Sequence, residues 1–411
     1  MRLNTLGTVI GTIIGLQIAT PARAAEAKNV TWTEFWDILE KQSPKLRALR
    51  AKEESVSSRV ALEVPAPMIG IGSMGRTSPL SEPMERTYEV TQRVPFPTKF
   101  LNAGSVKQAQ IDVTQSENAL DIQKLKKEAT DLFVSLATNL QEQSLFSEKR
   151  KVFGAHLKRL RALTLSDQAQ QIHILEIDAE EKATDSEIKD LNLKELELRR
   201  KLSALLNQEA HFDGTPVFDS LTPPKPKQAR VSNPSAVALA SKREELADSE
   251  RSMAKQEWLP DFSITYRKRD RLDGMLPSGQ EAMIGVEIPF FWGWQPSSKV
   301  GAASANREQM RNEAAMIRRE SDSELATLQD RVGILWERLS LYQNEILPLQ
   351  EKRVHLLHRI TPTDMSSLEL HLNTLQKWIS ARLSYLELES EYRKTKASLE
   401  ILSESPGLRP N

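Results

Sequence analysis

One passage occurs twice in this chain, and the repetition constrains the fold more than any other feature. Val94-Pro95-Phe96-Pro97 follows a run of alternating apolar and polar residues and precedes a very long helical pattern. Ile288-Pro289-Phe290-Phe291 stands in the same setting in the second half. A chain that twice runs from β-ribbon through a proline-aromatic stop into a long helix is two copies of one unit. Such duplication favours a tube or an array over an enzyme built around a single pocket.

In the first copy, a helix is expected from Trp32 to about Leu62, capped at Thr31 or Thr33 and interrupted at Pro44. Residues 67–76 form a weak strand with Ile69 and Ile71 on one side. Residues 86–96 alternate more clearly. Tyr88, Val90, Val94 and Phe96 share one face, which Gln92 breaks, and Thr87, Glu89, Thr91 and Arg93 share the other. From Asn102 to Leu163 there is no proline, and Leu125, Ala129, Leu132, Leu136 and Leu140 recur at helical spacing. A break at 164–167 separates this run from a second helix ending near Leu206. Residues 207–232, with Pro216, Pro223, Pro224 and Pro226, are the linker.

The second copy, 233–403, has the same order. A helix reaches Trp258, and strands are expected over 260–270 and 282–292, joined by a loop at 271–280. A helix then runs over 298–360, breaks at 361–364, and is followed by another ending near Leu402. A polar tail, 404–411, closes the chain. Within the long helix, Leu325, Leu328, Val332, Leu335, Leu339, Tyr342, Ile346 and Leu349 mark a heptad seam. A helix of about 60 residues spans roughly 90 Å, a length that no compact domain needs. The fold class is therefore mainly α with a small β part: a duplicated unit of long coiled-coil helices and two β-hairpins.

Composition narrows the function. Fifty-six basic residues balance 56 acidic ones, without the basic excess of a nucleic-acid binder. The absence of cysteine excludes disulfides, thiolate metal sites and a cysteine nucleophile. No nucleotide-binding glycine loop, HExxH helix or convincing GxSxG elbow is present, and nothing calls for a cofactor. Residues 1–24 read as a signal peptide: Arg2, an apolar stretch from Leu6 to Ile18, and Ala22-Arg23-Ala24 as the cleavage site. The mature chain is expected to begin near Ala25; an uncleaved anchor is the alternative. No later stretch approaches the ~20 apolar residues of a spanning helix, so any membrane crossing must use β-strands.

Four amphipathic strands cannot close a barrel, which needs about eight even for a filled interior, and an open sheet in lipid leaves unpaired edges. Either the strands are soluble or several chains pool them; three chains would supply twelve. Phe96, Phe100, Trp258, Phe290, Phe291, Trp292 and Trp294 gather at the strand ends. They suit an interfacial girdle, or equally the plugging of a soluble sheet onto the helices. The run Arg267-Lys268-Arg269-Asp270-Arg271 lies by the expected outer loop.

The passages Tyr88–Phe96 and Gly285–Phe291, each followed by a small-residue helix start (Ala103-Gly104-Ser105 and Gly301-Ala302-Ala303), resemble the TolC-like outer-membrane efflux family over about residues 32–403. The resemblance implies a homotrimer in which four strands per chain build a twelve-stranded barrel and the helices a periplasmic tunnel. It further implies a passive exit channel in the outer membrane, in contact with its lipid. The expected partners are a periplasmic adaptor (membrane fusion) protein and an inner-membrane pump. Two departures stand out. The lipidated N-terminal cysteine of many relatives is absent. The helix tips also lack glycine, none occurring between Gly154 and Gly214 or between Gly333 and Gly407.

The closing end of such a tunnel is expected at the tips, where a carboxylate would appear three times. Asp364 is the first candidate for that gate and Asp167 the second; both also suit helix N-caps. His355, His358 and His371 flank the second tip without the partners that a metal site requires, so no metal is expected. The competing reading from another class is a soluble periplasmic coiled-coil adaptor or structural protein.

Overall fold

The computed structural model describes residues 29–59, 65–74, 85–162, 168–208, 212–224, 234–271, 279–287, 294–358 and 365–403. The leader and the tail, the two tip segments with Asp167 and Asp364, and Ile288–Gly293 lie outside them.

A short strand β1 (Asn29–Thr31) leads into helix α1 (Trp32–Gln42). Thr31 and Glu34 cap α1 reciprocally: the Thr31 amide donates to Glu34 Oε2 at 2.9 Å and the Glu34 amide to Thr31 Oγ1 at 3.4 Å. Pro44 does not kink this helix. It sits at the first turn of a new one, α2 (Pro44–Ser58), where its missing N–H is harmless. Strands β2 (Met68–Met74) and β3 (Glu85–Val94) follow. Helix α3 (Pro97–Ala162) then runs 66 residues, roughly 100 Å at the rise of an α-helix. It starts five residues earlier than expected, with Pro97 as its first residue. Helix α4 (Gln168–Leu206) returns alongside it.

The linker holds β4 (Thr215–Val217), which pairs in parallel with β1. The second unit contains α5 (Ser235–Lys255), which ends in a 3₁₀ turn at Gln256–Trp258, then β5 (Asp261–Arg271) and β6 (Gly279–Glu287). Helix α6 (Trp294–Leu341) passes through a π-turn (Tyr342–Ile346) into α7 (Leu347–His358), and α8 (Met365–Ser403) closes the unit. The π-turn has a local cause. Pro348 has no N–H to donate and its ring crowds the preceding turn; the wider turn, in which the Leu347 amide reaches Tyr342 O, relieves that conflict.

The two long helices, α3 and α6 with α7, are the rails of the molecule. Near the sheet, α2 and α5 pack on α3, and α5 also packs on α6. Farther away, α4 and α8 take their places. The order across the wall is thus α2–α3–α5–α6 near the sheet and α4–α3–α8–α6/α7 beyond it. The largest core joins α1 to α3, α4 and the linker: Phe35, Leu39, Phe133, Leu136 and Leu202 are fully buried. Phe35 and Phe133 lie 5.2 Å apart, and Phe218 meets Phe133 edge-on at 5.4 Å. The leucine pattern read on α3 is this core.

The heptad seam on α6 is real as far as Leu339; Leu325, Val332, Leu335 and Leu339 are buried. Leu349 departs from it and is 59% exposed. The π-turn inserts one extra residue, so the apolar period slips and Leu357 takes up the buried role instead.

Candidate functional site

The four long strands form one antiparallel sheet in the order β2-β3-β5-β6. Its register sorts the side chains. Ile69, Ile71, Tyr88, Val90, Ile264, Tyr266, Ile284 and Val286 fall on one face, with Val90 opposite Tyr266 and Ile264 opposite Ile284. Among the described residues no element covers this face: Ile71 is 76% exposed and Ile284 80%. An apolar band of this extent is costly in water and normally marks an interaction or membrane surface.

The opposite face is polar. Glu89 stands opposite Arg267 and accepts from its Nε at 2.9 Å. Arg269 pairs with Glu281 at 2.9 Å, Arg93 with Glu287 at 3.1 Å, and the Thr91 and Thr265 hydroxyls meet at 3.0 Å. Arg267 to Asp270 are strand residues, as the expected strand over 260–270 has them. Arg267 and Arg269 each have a carboxylate on an adjacent strand, and Arg93 of β3 reaches across β5 to Glu287 of β6. Gly285 stands opposite Ser263, whose hydroxyl occupies the space that a Cβ at 285 would take.

At the helix end of the sheet Asp261 is a junction. It accepts from the Phe96 amide at 3.1 Å and from Lys99 Nζ at 2.7 Å, locking the start of α3 to β5. Phe96 stacks on Phe262 with centroids 6.0 Å apart. Phe100, Trp258 and Trp294 are exposed at the same level, Trp294 by 61%. Phe290, Phe291 and Trp292 lie outside the described residues, as do Asp167 and Asp364. His355 is exposed, and among the described residues no group of three or more His, Cys, Asp or Glu is placed to hold a metal ion. Among the described residues, too, no helix is long and apolar enough to cross a membrane.

Both edges of the sheet, β2 and β6, pair on one side only among the described residues. The helical wall has matching edges. On α4, Ile172, Leu175, Leu193 and Leu196 are exposed on the side away from α3; on α6 and α7, Ile334, Leu341, Leu349 and Leu356 are exposed on the side away from α8. The extra residue of the π-turn keeps the last four in line, since a step of eight across it replaces a step of seven.

No protein-family profile matches the sequence, and no curated protein matches it. Solved structures do. The outer membrane protein VceC of Vibrio cholerae superposes with a TM-score of 0.72 at 13% identity, covering 91% of this chain and 96% of that one. The open-state outer membrane channel MtrE of Neisseria gonorrhoeae gives 0.73 at 11% identity, covering 91% and 88%. The outer membrane channel CmeC of Campylobacter jejuni gives 0.69 at 9%, covering 98% and 93%. The chain has the TolC-like fold.

Sequence reasoning found the sheet's two faces but missed the ion pairs between strands, which only the register reveals. It also passed over a polar stripe on α3, Asp131, Ser135, Thr138 and Glu142, whose steps of four and three were legible opposite the leucines.

Proposed function

We propose that this chain is the outer-membrane exit channel of a tripartite efflux or secretion system, conducting substrate passively to the exterior. The observation that carries this reading is the sheet itself: among the described residues it is apolar and uncovered on one face, laced with ion pairs on the other, and unpaired at both edges. An aqueous lumen suits the second face and lipid the first. Three copies give twelve strands, enough for a water-filled bore. The leucine stripes at opposite edges of the wall suit a heterologous ring contact, α4 of one copy against α6–α7 of the next.

The two units, 25–206 and 233–403, then contribute equivalently, with the leader 1–24 removed on export and 207–232 as an equatorial linker. Phe96, Phe100, Trp258, Phe290, Phe291, Trp292 and Trp294 form the girdle at the periplasmic interface. Asp364, and secondarily Asp167, ring the periplasmic gate, where an adaptor protein and an inner-membrane pump engage. Such a duct is not an enzyme: it needs an aqueous path, not chemistry. The test is planar-bilayer recording of the protein purified from outer membranes. Stable ohmic conductance is expected, with weaker cation selectivity in Asp364→Ala. A preparation that remains soluble without detergent and forms no pores would contradict the reading and favour a periplasmic adaptor.

A further inference from the structure

We propose that a mixed-charge belt at the level of the linker, built from Glu142 of α3, Lys194 of α4, and Glu387 and Lys394 of α8, lines the bore and sets its charge preference. This inference rests on the channel reading above and locates a second determinant, far from the tips.

Three observations place the belt. First, one face of the wall is covered. Phe35 of α1 seals Phe133 of α3, the Arg199 guanidinium of α4 donates to Phe212 O at 2.6 Å, and the Tyr392 hydroxyl of α8 donates to Thr222 O at 2.7 Å. Second, the charged residues occupy the other side of each helix. Asp131 and Ser135 lie two residues on either side of Phe133, and Lys394 two beyond Tyr392, about 200° around an α-helix in each case. Third, α4 and α8 both pack on α3 and hardly touch each other, yet their side chains converge over it. Lys194 comes within 4.0 Å of Glu142, and Ser135, Thr138, Glu142, Lys194, Glu387 and Lys394 share one groove. Side chains of two flanking helices meet over a middle helix only on the concave side of a curved wall. In a tube, the concave side is the inside.

The belt holds both signs in partial burial. Glu142 faces Lys194 from α4 and Glu387 and Lys394 from α8; Asp131 faces Lys394 and, from its own helix, Lys127. Glu391, beside them, is tied to Arg331 of α6 at 2.5 Å. Burial pushes the carboxyls of Asp131 and Glu142 above the usual carboxylate range, against the pull of the lysines. It pushes Lys394 down, with Asp131 opposing. Falling pH therefore neutralises these two carboxyls before ordinary ones and leaves the lysines in charge. Three copies multiply the effect around the bore.

The experiment measures reversal potential under a KCl gradient across trimers of the full chain in planar bilayers. Lys194 is largely exposed, so Lys194→Gln should leave the fold intact; Glu142→Gln is its counterpart. Lys194→Gln is expected to raise the cation-to-anion permeability ratio by about twofold and Glu142→Gln to lower it similarly. In the wild type the ratio should fall as pH drops, and do so at a higher pH than ordinary carboxylates would require. Conducting variants with the wild-type ratio would overturn the belt and leave the channel reading standing. A wild type that does not conduct at all would overturn both.

Discussion

Tyr392 shows how much a single side chain ties together here. It is 1% exposed, donates its hydroxyl to Thr222 O at 2.7 Å, and lies 5.5 Å from the Trp336 ring. One residue thus fastens α8 to both α6 and the linker, while its neighbour Arg393 stacks on Phe218 at 4.7 Å. Burial raises the phenol's pKa, so it stays neutral and keeps donating at any physiological pH. Removing the hydroxyl in Tyr392→Phe should cost about 1 kcal/mol, and Tyr392→Ala about 3–5 kcal/mol through the cavity it leaves. Denaturant unfolding in detergent, followed by tryptophan fluorescence, checks both; equal midpoints for wild type and Tyr392→Phe would show that the linker contact carries no weight. The sequence did not single out Tyr392, because its partners lie far along the chain in the linker and on another helix. Thr31 and Pro44, by contrast, were legible because capping and proline stereochemistry are local.

Among the elements, α2, α3 and α5 are joined by one carboxylate. Glu117 of α3 accepts from Lys52 of α2 at 2.7 Å and from Arg243 of α5 at 2.9 Å. The hydrogen bond from Lys52, followed by that from Arg243, holds the Glu117 carboxyl below the usual carboxylate range. A lowered pKa in the folded state stabilises the protein above the ordinary carboxylate pKa, and that contribution is lost as pH falls through the lowered value. With about a quarter of the side chain exposed, the contribution is about 0.5–1 kcal/mol. Glu117→Gln should therefore melt lower than wild type near neutral pH and converge with it in acid, as thermal melts across pH would show; a gap that persisted in acid would point to packing rather than charge. At this scale periodicity revealed most helices and the strand faces. It failed where the period itself changed, at the π-turn that exposes Leu349, and it gave Arg267 and Arg269 their strand but not their cross-strand partners.

The whole molecule is unfinished by itself. Among the described residues, both edges of its sheet lack partners, both edges of its wall carry apolar stripes, and the band from Ile69 to Ile284 is uncovered. The sequence anticipated this incompleteness by counting: two repeats supply four strands, too few to close. It held no sign of which helix faces would be lined and which covered, because that depends on where α1 and the linker fold back. The central claim is that neighbouring copies complete the wall, β2 of one against β6 of the next. The mass of the particle extracted from outer membranes in mild detergent, measured by light scattering with the detergent contribution subtracted, tests it most directly. Three chains per particle is the predicted result; a single chain, stable in plain buffer, would contradict it.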